Sequence, residues 1–404
     1  MLNLRFMSAL RVLLALTLAS CSDDSRQPAP ELPRTVHFER HALSSEFLAE
    51  GANYGDFNRD GAGDVVAGPY WYEGPSFAQR HTIYPPTPFD PKGYSDNFFA
   101  YVHDLDGDAW DDVLVVGFPG RAARWYRNPG AGGALWEPSQ VYAAVDNEAP
   151  AFVDVLADGR PRLVFSSRGQ LGFAEPGPDP RAEWTFRPIS AEGPYQTFTH
   201  GLGVGDMDAD GDNDLLEAGG YWEQPSDAAS GALWTKRGHT FGAGGAQMFA
   251  YDVDADGDQD VVTTLAAHGS GVAWFERRTE AAQVSFIRHI VSSEAPAAEA
   301  LHEPHALALA DINGDGLMDV VAGERFWGHV PAGEPDFAAP ARLMWFELRR
   351  TASGVQFVPH LIDAASGVGT QVVTGDVDGD ARHDVVVANK KGAFVFLQAS
   401  TVGR

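Results

Sequence analysis

Residues 205–222 read GDMDADGDNDLLEAGGYW, which places Asp206, Asp208, Asp210 and Asp214 within nine positions. Carboxylates this close repel one another, so the run is either a solvated acidic turn or a cage for a hard cation. Recurrence decides between the two. The pattern returns as DFNRDGAGDVV from Asp56, DLDGDAWDDVL from Asp104, DVDADGDQDVV from Asp252, DINGDGLMDVV from Asp311 and DVDGDARHDVV from Asp376. A degraded copy, DVLADGRPRLV, starts at Asp154. Seven copies at intervals of about 46 to 65 residues form an internal repeat.

Each unit has one layout. A short apolar stretch precedes the acidic loop and a Val/Leu run follows it. Next comes an aromatic segment such as RWYRN (124–128), AWFER (273–277) or MWFEL (344–348), and then a closing segment such as FIRHIV (286–291) or FVPHLI (357–362). Four short strands per repeat predict an all-β fold, a seven-bladed β-propeller spanning residues 34–404. The seventh unit stops after GAFVFLQ (392–398), without its outermost strand. VHFERHAL (36–43) resembles the missing element, so the N-terminal strand is expected to complete the last blade and leave no open sheet edge.

Forty-four Gly and 26 Pro among 404 residues fit a turn-rich chain, and the formal charge of −27 argues against nucleic acid or an anionic membrane surface as partner. Residues 1–20 carry Arg5, Arg11 and the apolar run Val12–Leu18, the pattern of an export signal. Leu18-Ala19-Ser20-Cys21 resembles the bacterial lipobox. That resemblance implies a lipid anchor at Cys21, a tether over residues 21–33 and a place in the bacterial cell envelope. Cys21 is the only cysteine, which excludes an intrachain disulfide.

Oxygens at loop positions 1, 3, 5 and 9, with a backbone carbonyl near 7, suit Ca²⁺. The candidates are Asp56, Asn58, Asp60 and Asp64; Asp104, Asp106, Asp108 and Asp112; Asp206, Asp208, Asp210 and Asp214; Asp252, Asp254, Asp256 and Asp260; Asp311, Asn313, Asp315 and Asp319; and Asp376, Asp378, Asp380 and Asp384. Position 12 is normally apolar, unlike an EF-hand, and Glu217 there is read as incidental. The loops resemble those of the FG-GAP/VCBS repeat family over essentially all of the chain from residue 36, which implies up to six structural Ca²⁺ ions. In the third copy Leu156 and Arg162 replace two ligands, and Arg160 or Arg162 is expected to neutralise Asp154 and Asp158.

Catalytic or binding chemistry is expected at the opposite face. The residues six before each loop are Glu50, Phe98, Glu148, His200, Ala246, His305 and Thr370, and neighbouring loops add His268, Arg325, Trp327, His329, Lys390 and Lys391. A ring interior that needed only packing would not use these side chains. His41, His289 and His360 recur in F-x-x-H and read as structural. His200, His268, His305 and His329, with Glu50 or Glu148, could bind Zn²⁺ or another divalent ion, or bond a sugar through its hydroxyls. GPYWYEGP (68–75), YSDNFF (94–99), THGLGVGD (199–206), EPHALALAD (303–311), GERFWGHVPAGEP (323–335) and a stretch over 360–396 resemble the propeller domain of the aldos-2-ulose dehydratase family, although Glu324 stands where that family has Lys and the family's additional cupin domains are not expected within this sequence. The resemblance implies metal-assisted removal of water from a keto-sugar. His200 or His305 would then serve as base or ligand, with Lys390, Lys391 or Arg325 at the developing oxyanion. The competing expectation is a non-catalytic module that holds a glycan or a protein.

Overall fold

The computed structural model describes residues 36–228, 231–281, 283–293, 300–329 and 332–399. The expected export signal, Cys21 and the tether lie outside the described residues. Within them are 28 strands and no α-helix. The Val/Leu runs become the second strand of each unit and are buried along their whole length, as in Asp64–Ala67 and Asp384–Asn389. Outer strands such as Gly354–Asp363 alternate between exposed and half-buried positions. The chain is an all-β propeller.

Residues 52–82, 99–145, 151–188 and 307–363 each form a four-stranded antiparallel meander in chain order. A fifth four-stranded sheet combines the three strands of residues 372–399 with the N-terminal strand His37–Ser44. That strand pairs antiparallel with Gly392–Ala399, from His37 opposite Ala399 to Ser44 opposite Ala393. The remaining strands depart from the expectation of seven separate blades, because residues 202–238 and 247–292 share one eight-stranded sheet. Leu202–Gly205 runs parallel to Gln247–Tyr251, with Leu202, Gly203 and Val204 opposite Gln247, Met248 and Phe249. Glycine permits this contact: a Cβ on Gly203 would collide with the Met248 carbonyl, and one on Gly205 with Ala250. Gly203→Ala should therefore cost about 1–3 kcal/mol, read as a lowered melting temperature with an otherwise unchanged far-ultraviolet spectrum.

Apolar clusters lie between successive four-stranded units. One joins Val66 and Trp71 to Val113 and Val115. Another joins Val321 and Trp345 to Val385 and Phe396, and a third joins Val377 and Val395 back to Ala52 and Val65. Each acidic loop connects the first strand of a unit to the second. The approaches to the first strands and the exits from the second strands therefore lie together at the other end of the sheets.

On the outer strands, His289 stacks on Trp274 with centroids 4.3 Å apart and bonds Glu276 at 2.7 Å. His360 does the same with Trp345 and Glu347. The third member of this set is His81 on Trp71 with Glu73, whereas His41 meets Phe77 edge-on. Register explains it: each of these three histidines sits directly opposite its tryptophan on the neighbouring strand.

Candidate functional site

The acidic loops are built around their ninth residue. Asp64, Asp112, Asp214, Asp260, Asp319 and Asp384 are fully buried. In each, one carboxylate oxygen accepts the amide of the second loop residue and the other accepts an amide just beyond the third strand's register. For Asp214 the donors are Met207 and Gln224, each at 2.9 Å; for Asp319 they are Ile312 at 3.0 Å and Leu348 at 2.8 Å. Burial pushes these carboxyls up, to about 6 or 7, and the amide bonds only partly offset it. Position 6 has a left-handed backbone, φ 96° at Gly211, and so does position 4, φ 62° at Ala209. Four loops bring three carboxylates within 4.8 Å: Asp104, Asp106 and Asp108; Asp206, Asp208 and Asp210; Asp252, Asp254 and Asp260; Asp376, Asp378 and Asp384.

The degraded third loop shows what this arrangement accepts. Arg162 stands at position 9 with its side chain buried. Its guanidinium donates to both oxygens of Asp158, at 2.9 and 2.8 Å, and to the Arg160 carbonyl at 2.9 Å, and lies 3.8 Å from Asp154. Loop positions 1, 5 and the carbonyl at 7 thus gather around a cation carried by the chain itself. In the second loop Arg127, from the third strand, pairs with Asp106 and Asp108 at 2.5 Å, a contact that the repeat pattern does not signal.

At the opposite end, residues preceding first strands converge. Gln247 Nε2 reaches the Thr370 carbonyl at 3.1 Å, and the Thr370 amide donates to the Glu50 carbonyl at 2.9 Å. Glu148, His200, His268 and His305 each place one donor atom within 4.8 Å of the others. His200 Nε2 lies 3.4 Å from Glu148 Oε2 and 2.8 Å from His268 Nε2, and His305 Nε2 lies 3.6 Å from the same Glu148 oxygen. The set grades from a buried floor of Glu148 and His305, through half-buried His200, to exposed His268. His305 is fully buried with neither ring nitrogen hydrogen-bonded. A polar group in that state is costly unless a ligand completes it. Burial, with the nearby Arg325 and His200 charges, holds His305 well below the usual imidazole range. Burial and the flanking imidazoles hold His268 at about 4. Both are therefore neutral at pH 7, the form that ligates metals. Burial alone would raise Glu148, but the His200 hydrogen bond and the His200 and Arg325 charges leave it ionised. Three imidazoles and one carboxylate could hold a divalent ion here, with the exposed His268 side leaving a position open to solvent.

The cations expected at an oxyanion are placed differently. Arg325 is buried behind the cluster, 2.5 Å from Glu50 and 3.8 Å from Glu148. Lys390 is also buried, donating to the Trp327 carbonyl at 2.9 Å and lying 4.6 Å over the Tyr94 ring; burial pushes it down to about 8. Lys391 caps the carbonyls of Phe337 and Ala339 and does not join the cluster. Lys390 and Lys391 are the two residues of the turn between Asp384–Asn389 and Gly392–Ala399, and their ammonium groups reach different carbonyls. His329 stands beside His268, with Glu303 beyond it.

Two features escaped the sequence reading. Glu303 carries no repeat signature. A row of rings, Tyr94, Phe118 and Phe198, has centroids 5.3 and 5.5 Å apart and leaves Tyr94 and Phe198 exposed. Phe198, Glu303 and Trp327 all have left-handed backbones, with φ of 71°, 48° and 56°. Such conformations cost about 1–3 kcal/mol each and concentrate at functional sites.

The FG-GAP-like repeat family matches residues 104–165 and 252–322. No curated protein matches the chain in sequence. Similar solved structures include an Agrocybe aegerita lectin studied for its recognition of non-reducing terminal N-acetylglucosamine, at 15% identity over 91% of this chain and 86% of that one, with a TM-score of 0.47. The V. cholerae biofilm matrix protein Bap1 is similar at 10% identity over 91% of this chain and 92% of that one, with a TM-score of 0.46. The rhamnogalacturonan lyase YesW is similar at 13% identity over 90% and 76%, with a TM-score of 0.44. The chain carries FG-GAP-like repeats on a β-propeller.

Proposed function

We propose that this chain is an exported, lipid-anchored, Ca²⁺-stabilised propeller whose face opposite the acidic loops carries a divalent metal centre acting on a keto-sugar. In this reading the eight-stranded sheet is two blades, the ring has seven, and His37–Ser44 closes it. Support for Ca²⁺ comes from Arg162, whose guanidinium takes the place of an ion among equivalent loop atoms. The intact loops have no such residue at position 9, and an external cation would offset the charge of the acids gathered around the six carboxylates buried there, the second loop already having Arg127 on Asp106 and Asp108.

The observation that carries the metal centre is the convergence of Glu148, His200, His268 and His305, with His305 buried and unpartnered. A divalent ion there would supply Lewis-acid polarisation of a ketone oxygen. Glu148 is held in place and kept ionised by Arg325 and His200, and His305 is too deeply buried to meet substrate, so it serves as ligand and not as base. The reaction is a β-elimination: the proton on the carbon beside the ketone passes to a base at the rim of the site, a C=C bond forms, and the hydroxyl on the next carbon takes that proton back from the base and leaves as water. The Tyr94, Phe118 and Phe198 row offers apolar faces for a pyranose ring beside the cluster. That same row favours the second reading, a module that holds a glycan without turning it over.

Metal analysis of the purified protein separates these readings. Wild type should carry one Zn²⁺-class ion besides its Ca²⁺ and yield an ultraviolet-absorbing enone from a 2- or 3-keto-hexose. His200→Ala and His305→Ala should each lose that ion and at least about 100-fold in turnover, with Ca²⁺ content unchanged. If glycan binding persists in wild type while no keto-sugar gives product, the binding module is correct.

A further inference from the structure

We propose that Glu303 and His329 form a positioning dyad that fixes the ring orientation and tautomer of His268 for metal binding. This rests on the metal-centre reading above. His268 is the exposed member of the four-donor set, on a loop, and needs an external restraint to present one particular nitrogen. Metal-bound histidines usually obtain this by donating their second ring N–H to an acceptor.

One carboxylate accounts for every proton in the chain of contacts. Glu303 Oε1 lies 2.7 Å from His329 Nδ1 and, being acceptor-only, draws the proton to that nitrogen. His329 Nε2 then keeps its lone pair, and it abuts His268 Nδ1. His268 Nδ1 donates to it, which leaves the lone pair on His268 Nε2. That nitrogen points into the cluster, 2.8 Å from His200 Nε2. A reversed Glu303–His329 polarity would put the proton on the wrong nitrogen of His268.

The backbone ties the same elements together. The Glu303 amide donates to the Gly269 carbonyl at 2.8 Å, next to His268, and the Arg325 amide donates to the Glu303 carbonyl at 3.1 Å. Ser270 and His302 form an isolated antiparallel bridge beside them. Any side chain at Gly328 would collide with the Glu303 carboxylate, so the glycine before His329 leaves room for the pair. Glu303 holds a left-handed backbone to reach this position. A merely surface ion pair would not require that geometry.

The test uses full-length protein saturated with Ca²⁺ and measures Zn²⁺ affinity by competition with a chelating dye, plus the visible absorption of the Co²⁺ form. His329→Phe and Glu303→Ala should each weaken Zn²⁺ about 10- to 100-fold and alter the Co²⁺ bands. His329→Gln, whose carbonyl can still accept from His268, should recover part of the loss. Melting temperatures measured without Zn²⁺ should match wild type. Unchanged affinity and spectrum in both full-loss variants would overturn the dyad and leave the metal centre intact. Complete loss of Zn²⁺ in His329→Phe, equal to that in His200→Ala, would overturn it in favour of direct ligation. Absence of any Zn²⁺ or Co²⁺ binding by wild type would remove the metal centre itself.

Discussion

Excess chelator should lower the melting temperature of this protein by more than about 10 °C. Each loop occupied at a hundredfold excess over its dissociation constant contributes roughly 2.7 kcal/mol, and in a domain of this size 1 kcal/mol corresponds to about 1–2 °C. A bound ion would act where two strands of a unit meet, because the ninth carboxylate links the loop to the amides of Met207 and Gln224 or their equivalents. Without the ion that carboxyl is buried among other acids and is pushed up to about 7 at Asp214 and Asp260. A folded value above the unfolded one means that the folded chain binds more protons between about pH 4 and 7. Chelated protein should therefore lose stability as pH rises through that window, and Ca²⁺-loaded protein should not. Asp254→Ala should cost stability in Ca²⁺ and little in chelator, while Leu156→Ala in the Arg162-filled loop should leave Ca²⁺ content unchanged. A melting curve indifferent to chelator would sink the structural-Ca²⁺ proposal.

The repeat was legible because local chemistry repeats with it. Each loop needs carboxylates at fixed offsets and a strand-forming Val/Leu run after it, and both survive in a linear reading. Arg162 was also readable, since a base at position 9 stands beside the loop's own acids, although its second partner, Glu175 on the next strand, carries no such signal. The joining of two units through Leu202–Gly205 and Gln247–Tyr251 was not, because it depends on how closely two glycines let separate strands approach. At the other face, residue types pointed to Glu148, His200 and His305, which share the position six residues before a loop, and to His268, which follows a second strand. Lys390 and Lys391 could not be separated in that way: which one turns inward depends on a tertiary carbonyl, Trp327 for one, Phe337 and Ala339 for the other. Glu303 and Phe198 owe their placement to left-handed backbones that no composition signal announces.

Deleting residues 36–44 should be far more damaging than trimming a chain end usually is. Terminal segments are commonly dispensable when few buried contacts depend on them. Here Val36 and Phe38 pack against the cluster formed by Val321, Val385 and Phe396, and Leu43 packs against the one formed by Ala52, Val65 and Val395. The second of those clusters joins the last unit to the first. Removing the strand also strips the register from His37–Ala399 to Ser44–Ala393 and leaves Gly392–Ala399 as an unpaired apolar edge, a template for pairing with another chain. The truncated protein should melt at least about 5 °C lower, by the same conversion of a few kcal/mol, and should self-associate with concentration. A synthetic peptide of residues 36–44 added in excess should restore much of the melting temperature, because it can occupy the vacated edge. Ca²⁺ content should persist in the truncated protein below its melting point, since no loop ligand is removed. Native melting and a monomeric state after the deletion would show that His37–Ser44 is an accessory strand and that the ring holds together without it.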